Sequence, residues 1–112
     1  MTDTKGLDRW LMHPVRLLIV AFLADQQWRD FSDVCTAVDA PSSSVTHHLS
    51  RLRASRYVES QREDRKSKIR LTRTGCERLT EHVTAMQAVT EQAAEFIAGA
   101  VESVNRKGTS ST

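Results

Sequence analysis

The stretch Ser42–Arg53, which reads SSSVTHHLSRLR, decides the fold of this chain. Val45, Leu49 and Leu52 are spaced four and three residues apart, so they line one stripe of an α-helix. Short hydroxyl side chains let a helix lie deep in a DNA major groove, where His and Arg reach base edges and phosphates. The stretch therefore predicts a DNA-reading helix. Its polar face comprises Ser43, Ser44, Thr46, His47 and Ser50, followed by Arg51 and Arg53.

Two shorter helices are predicted before this one. His13-Pro14 marks the start of the first, because proline suits the first helical position, and the helix is expected to end near Asp25. Trp28 is expected in a very short strand, and Asp30 or Ser32 can cap the second helix. The expected core residues of the two helices are Val15, Leu18, Ile19, Phe22 and Leu23 in the first and Phe31, Val34, Cys35 and Val38 in the second. With the tight connection Asp39–Pro41, this order predicts a helix-turn-helix.

A β-hairpin with a cationic end, which we call the wing, is predicted next. Segments 57–62 and 67–71 alternate apolar with polar residues, as half-buried strands do. Ile69 and Leu71 are expected to face the core, with Lys68 and Arg70 facing outward. The charged stretch 63–66 forms the tip, and an arginine there suits a minor groove or a phosphate.

One long helix is predicted from about Thr74 onward. Apolar residues recur every three or four positions as far as Val104, and a helix over 73–104 would be roughly 48 Å long at about 1.5 Å per residue. This small domain cannot cover such a stripe, so a symmetric dimer is expected. The alternative is that the helix folds back near Gly99. The expected dimer contacts are Leu79, Val83, Met86, Val89, Ala93, Phe96 and Ala100.

The sequence thus predicts a mainly α protein with a small β-hairpin, in the α+β class, built as a winged helix-turn-helix with a long C-terminal dimerisation helix. Residues 13–75 form the DNA-binding domain and residues 76–104 the dimerisation helix. Residues 1–12 are expected to be partly disordered or to contact the dimer partner. Residues 105–112 are polar and are expected to form a disordered tail.

The charge of the chain is unevenly distributed. Its formal net charge is +2 over 112 residues, but the segment 51–78 holds ten basic and four acidic residues, which leaves −4 for the remainder. A segment of +6 favours an anionic partner, although a solvated basic surface is the plainer alternative. The two cysteines build no disulfide framework, and neither a membrane span nor a signal peptide is evident. We expect a cytoplasmic protein.

Several spaced motifs resemble the winged-helix transcriptional regulators of the MarR and ArsR type. The opening helix of the short winged-helix domains is similar to His13-Pro14-Val15-Arg16-Leu17, and their recognition-helix pattern is similar to residues 44–52. Arg56-Tyr57-Val58 resembles the start of their first wing strand, and residues 71–75 (LTRTG) resemble the end of the wing. The tip pair Asp64-Arg65 is MarR-like. The resemblance covers roughly residues 7–100.

This resemblance implies a dimer whose two recognition helices enter successive major grooves of a near-palindromic operator. By position, the face from Ser43 to Ser50 would approach bases or nearby phosphates, while Arg51 and Arg53 hold the backbone. From the wing, the contacts would come from Arg65, Lys66 and Lys68. His48 borders the apolar stripe and is expected to be partly packed. Such regulators often bind a small-molecule effector, for which Trp10, Trp28 and Met86 are candidates, although packing explains these three more simply.

Other classes of function have less support in the sequence. An enzyme is not expected, because the chain lacks a phosphate-binding glycine loop, a paired-carboxylate cleft and a nucleophile motif, and no cofactor is expected. Metal sensing needs clustered N and S ligands, whereas Cys35 stands alone and adjacent helical histidines such as His47 and His48 diverge. Cys76, at a helix start near Arg73, leaves redox sensing open. The main alternative is a winged-helix protein-interaction module, and RNA binding would lack an aromatic platform.

Overall fold

The computed structural model describes residues 4–110 and contains four α-helices, one short 3-10 helix and a three-stranded sheet within that range. The 3-10 helix spans Arg9–Met12 and is followed by α1, Pro14–Phe22. Next come β1, Arg29–Asp30, and the helices α2, Phe31–Val38, and α3, Ser42–Ala54. The wing consists of β2, Val58–Glu63, and β3, Lys66–Leu71, and α4 spans Arg73–Ser110. The predicted fold class and element order are confirmed.

The core lies where α1, α2 and α3 meet the inner face of the sheet. Val45, Leu49 and Leu52 of α3 are all buried, as their spacing predicts. The prediction for α1 is partly wrong, because Leu18 and Phe22 are exposed while Val20 is buried. The periodic pattern of α1 shows which residues share a stripe, but the packed face is rotated from that stripe toward Val20. The helix also ends at Phe22, three residues before the expected end.

The sheet has the order β1-β3-β2 and is antiparallel throughout. The residue pairs Val58–Leu71 and Ser60–Ile69 face the core side, where Ile69 and Leu71 are buried as predicted. Trp28 lies immediately before β1 rather than within it. Because β1 pairs with β3 at positions 29–30, the wing is anchored to the segment that begins α2.

Helix α4 is continuous from residue 73 to residue 110, about 57 Å at 1.5 Å per residue. The chain therefore does not fold back at Gly99, and residues 105–110 are helical instead of a disordered tail. No proline interrupts this stretch, so the helix continues through its polar end. Residues 111–112 lie outside the described range. Within residues 4–110, no helix combines the length and apolar character needed to cross a bilayer.

The N-terminal segment packs against its own chain, which differs from the expected disorder or dimer contact. Leu11 is fully buried, and the Asp8 carboxylate accepts hydrogen bonds from the Tyr57 hydroxyl and the Trp10 backbone N–H. The Asp8 backbone N–H donates to Nδ1 of His82 over 2.9 Å. These contacts connect the wing base, through Asp8, to α4. Residues 1–3 of the predicted 1–12 segment lie outside the described range.

Candidate DNA interface

Helix α3 presents the predicted polar face to solvent. Its buried side consists of Val45, His48, Leu49 and Leu52, and this burial fixes the rotation of the helix. Ser44 is half-buried at the edge of the exposed face. The exposed members of the predicted set are Ser43, Thr46, His47, Ser50, Arg51 and Arg53. The structure therefore places the short hydroxyls and the longer cationic groups on one accessible surface.

Two hydrogen bonds organise the C-terminal half of this surface. Arg51 donates from Nε to Nε2 of His47, one turn earlier, over 3.2 Å. Arg53 donates from Nη1 to Oγ of Ser60 in the wing over 2.9 Å. The first bond orients the imidazole along the helix, and the second holds α3 and β2 at a fixed separation. Both arginines keep further N–H donors for an anionic partner.

The wing ends in a tight two-residue turn. Asp64 and Arg65 have φ values of 50° and 64°, which is the left-handed pair of a type I′ hairpin turn. Arg65 and Lys66 are exposed at this tip, as predicted for DNA contacts. Lys68 is half-buried, and its Nζ lies 3.6 Å from the Glu63 carboxylate. An ion-paired Lys68 is the least available of the three predicted wing contacts.

Arg62 is a cation that the sequence-based prediction missed. Its strand partner is Ser67, and alternation places it on the same face of the wing as Ser60, toward α3. Lys66 and Lys68 pair with Glu63 and Gln61 on the opposite face. The two-residue period counted from buried Val58 would have identified Arg62, because positions 58, 60 and 62 share a side.

A group of histidines and arginines, which we call the histidine cluster, lies where α1 meets α3. The His48 ring lies 4.4 Å from that of His13 and 5.6 Å from that of His47, measured between centroids. Arg16 donates from Nε to Nδ1 of His48 over 3.1 Å. The prediction that His48 is packed is confirmed, since only 6% of it is exposed. Burial lowers the pKa of His48, and the neighbouring charges of His13 and Arg16 lower it further.

Comparison with known proteins identifies the fold formed by the helices and the wing. Residues 13–60, less than half of the chain, match the model of the family described as bacterial regulatory protein, arsR family. A transcriptional regulator homologue from Pyrococcus horikoshii OT3 has a similar structure, with a TM-score of 0.70 and 24% identity over 77% of this chain and 89% of that one. The fold is a winged helix.

Two further winged-helix structures extend the likeness. BpsR of Bordetella bronchiseptica, whose DNA binding is regulated by 6-hydroxynicotinic acid, has a TM-score of 0.66 and 20% identity, covering 94% of this chain and 85% of its own. MepR of S. aureus, solved with DNA, has a TM-score of 0.64 and 16% identity, covering 89% and 86%. No curated protein sequence matches significantly. These likenesses, all below 25% identity, show that the chain has the winged-helix fold.

The winged helix also contains a cavity of about 250 Å³ between α3 and the wing. Leu49, Val58 and Ile69 form its floor, and Thr46 and Arg53 lie at its polar side. The aromatic residues suggested for an effector pocket lie elsewhere. Trp10 packs against the core and Trp28 stacks beneath the Arg70 guanidinium, 4.6 Å from ring centroid to Cζ.

The two cysteines, Cys35 and Cys76, do not form a cluster at the candidate DNA interface. Both are reduced and half-buried, and both pack against the core. Burial raises the pKa of the Cys35 thiol. Across residues 4–110, no group of three or more His, Cys, Asp or Glu side chains could hold a metal ion.

Proposed function

We propose that this chain is a dimeric, sequence-specific DNA-binding transcriptional regulator, a repressor by analogy with related regulators, acting in the cytoplasm. The observation that carries the proposal is the exposed polar face of α3 beside a cationic wing. Thr46 and His47 stand on that face while the apolar side of α3 is buried, so the face is free to meet a partner.

The chemistry of this surface fits double-stranded DNA. Hydroxyl and imidazole groups on the first three turns of α3 suit base edges in a major groove. Arg51 and Arg53 at the helix end and Arg62 and Arg65 on the wing suit the phosphate backbone on either side. The +6 charge of segment 51–78 adds a general attraction that depends on salt concentration.

Dimerisation is proposed from the apolar stripe of α4. Leu79 was expected to contact a partner, but it is buried in the core of its own chain. Farther along, Phe96, Ile97 and Val104 are 71%, 63% and 68% exposed. Covering each of these side chains would contribute about 1.5–3 kcal/mol. A second α4 supplies a matching surface, so we propose that Val83, Met86, Val89, Ala93, Phe96 and Ala100 meet their equivalents across a twofold axis.

The dimer proposal has a matched test on two neighbouring alanines. Ala98 and Ala100 are both exposed, and they are separated by about 200° around the helix, with Ala100 on the stripe and Ala98 off it. Ala100→Glu should weaken dimerisation tenfold or more in sedimentation equilibrium, while Ala98→Glu should have little effect. Equal effects of the two substitutions, or a monomeric unmodified chain, would contradict the proposed interface.

The DNA proposal is tested by footprinting the region upstream of the coding gene. A dimer of winged helices should protect two related half-sites separated by about one helical turn, 10–10.5 base pairs, or a multiple of it. Protection no greater than on random DNA would contradict specific recognition. The alternative function, a protein-interaction module, would then be favoured, with only weak salt-sensitive DNA attraction. A small-molecule effector stays a prediction.

A further inference from the structure

The histidine cluster contains five side chains that are cationic or can become so. Arg16 and Arg51 are permanently charged, and His13 and His47 are exposed on either side of buried His48. Within residues 4–110, none of the hydrogen bonds, ion pairs or ring contacts made by these five involves a carboxylate. A group of like-signed side chains without a counter-ion is suited to an anionic partner.

One ring nitrogen of each histidine in the cluster accepts a hydrogen bond. His13 accepts from the Val15 backbone N–H at Nδ1, His48 accepts from Arg16 at Nδ1, and His47 accepts from Arg51 at Nε2. A ring nitrogen that accepts a hydrogen bond carries no proton, so each of these three nitrogens is a position at which a proton can be taken up. The cluster therefore has the capacity to take up positive charge.

We propose that the histidine cluster binds a phosphate of the DNA backbone and that a proton is taken up there on binding. This inference rests on the proposed DNA-binding function. An arriving phosphate competes for the Arg51 guanidinium and draws it away from His47. The freed Nε2 of His47 then accepts a proton from solvent, and the resulting imidazolium donates to the phosphate. His13, on the other exposed side of His48, takes up a proton at Nδ1 when the phosphate instead accepts the hydrogen bond of the Val15 backbone N–H.

The direction of the pH dependence follows from the charges around the cluster. Burial lowers the pKa of His48, and so do the charges of His13 at the start of α1, Arg16 in α1 and His47 and Arg51 in α3, so a positive charge on His48 is disfavoured in the free protein. A bound phosphate reverses this, because a nearby negative charge raises the pKa of an imidazole. The complex then holds more protons than the free protein between about pH 8 and pH 6, so DNA affinity rises as the pH falls.

The test is a set of fluorescence-anisotropy titrations at constant ionic strength and at pH 8, 7 and 6. A labelled duplex from the chain's own promoter is compared with a scrambled duplex, using the unmodified chain and the double variant His13→Gln/His47→Gln. We expect the affinity of the unmodified chain to rise threefold or more from pH 8 to pH 6 on both duplexes, since a phosphate contact carries no sequence information. The double variant should lose most of this rise. An unchanged rise in the variant, or none in the unmodified chain, would overturn the inference.

A second readout separates proton uptake from a general loss of binding. At pH 7, the imidazole NMR signals of His13 and His47 should move toward those of a protonated imidazolium when DNA is added. His82, buried on α4 outside the cluster, serves as the internal control and should not shift. Unmoved His13 and His47 signals would overturn the inference. Failure of the proposed function is distinct, because it would appear as equal affinity for the two duplexes at every pH.

Discussion

Arg53 near the end of α3 donates a hydrogen bond from Nη1 to Oγ of Ser60 in β2, so the helix proposed to face DNA and the wing are joined directly. The two residues are seven positions apart in sequence, and both line the cavity between the two elements. The bond makes the position of the wing depend on α3. This bond favours one relative position of the two elements in the proposed DNA interface.

The Arg53–Ser60 bond predicts non-additive effects on DNA affinity. Arg53→Ala and Ser60→Ala should each weaken binding, and the double variant should weaken it by less than the sum, with a coupling of about 1 kcal/mol. The measurement is a double-mutant cycle of promoter affinities. Additive losses would show that the bond does not contribute to the interface.

Substitution of Arg65 at the wing tip is expected to lower DNA affinity by a factor that does not depend on the DNA sequence. Arg65→Asn removes the guanidinium but retains a residue that tolerates the left-handed conformation of this turn. Affinity for promoter and random DNA should fall by similar factors, and the slope of log affinity against log salt should decrease by about one. A loss confined to the promoter would instead indicate that Arg65 reads sequence.

Alanine substitutions at two glycines of α4 are expected to change the stability of the protein in opposite directions. A Cβ added at Gly75 would lie 2.3 Å from the Tyr57 carbonyl oxygen, whereas at Gly99 it would meet nothing within 4 Å. Gly75→Ala should reduce the free energy of unfolding by about 1–3 kcal/mol, the usual cost of overpacking. Gly99→Ala should raise it by about 0.5–1 kcal/mol. Urea denaturation of both variants checks the pair, and equal effects would contradict the packing at Tyr57.

The buried hydroxyl of Tyr57 is expected to make the protein less stable at alkaline pH. Burial, together with the hydrogen bond to Asp8, raises the pKa of this hydroxyl to about 12. The folded state therefore favours the neutral phenol, so this contribution is complete below pH 10 and is lost as the pH rises from 10 to about 12. Urea denaturation at pH 9, 10 and 11 should show a steeper decline for the unmodified chain than for Tyr57→Phe. An equal loss of stability with pH in the unmodified chain and in Tyr57→Phe would contradict this role of the Tyr57 hydroxyl.

The elements that could be predicted from the sequence are those with a local signature. The spacing of Val45, Leu49 and Leu52 identified both α3 and its buried side. Alternation at Ile69 and Leu71 identified the inner face of β3. In each case the spacing of the apolar residues matches the period of the element, because those residues lie on the face that is buried.

Contacts between distant residues could not be predicted in this way. Asp8 and His82 are 74 residues apart, and neither residue carries a local signal of the other. The exposure of Leu18 and Phe22 depends on how far α1 is covered by its neighbours, which periodicity does not determine. The proximity of His13 to His48 likewise arises only when α1 packs across α3.

The central claim, that α3 reads DNA sequence, is tested most directly by the ratio of affinities for promoter and scrambled DNA. The ratio is measured at several salt concentrations for the unmodified chain and for Thr46→Ala. We expect a large ratio for the unmodified chain and a smaller one for the variant, since Thr46 is exposed on the α3 face and its hydroxyl suits a base edge. A ratio near one for the unmodified chain, at every salt concentration, would contradict the claim.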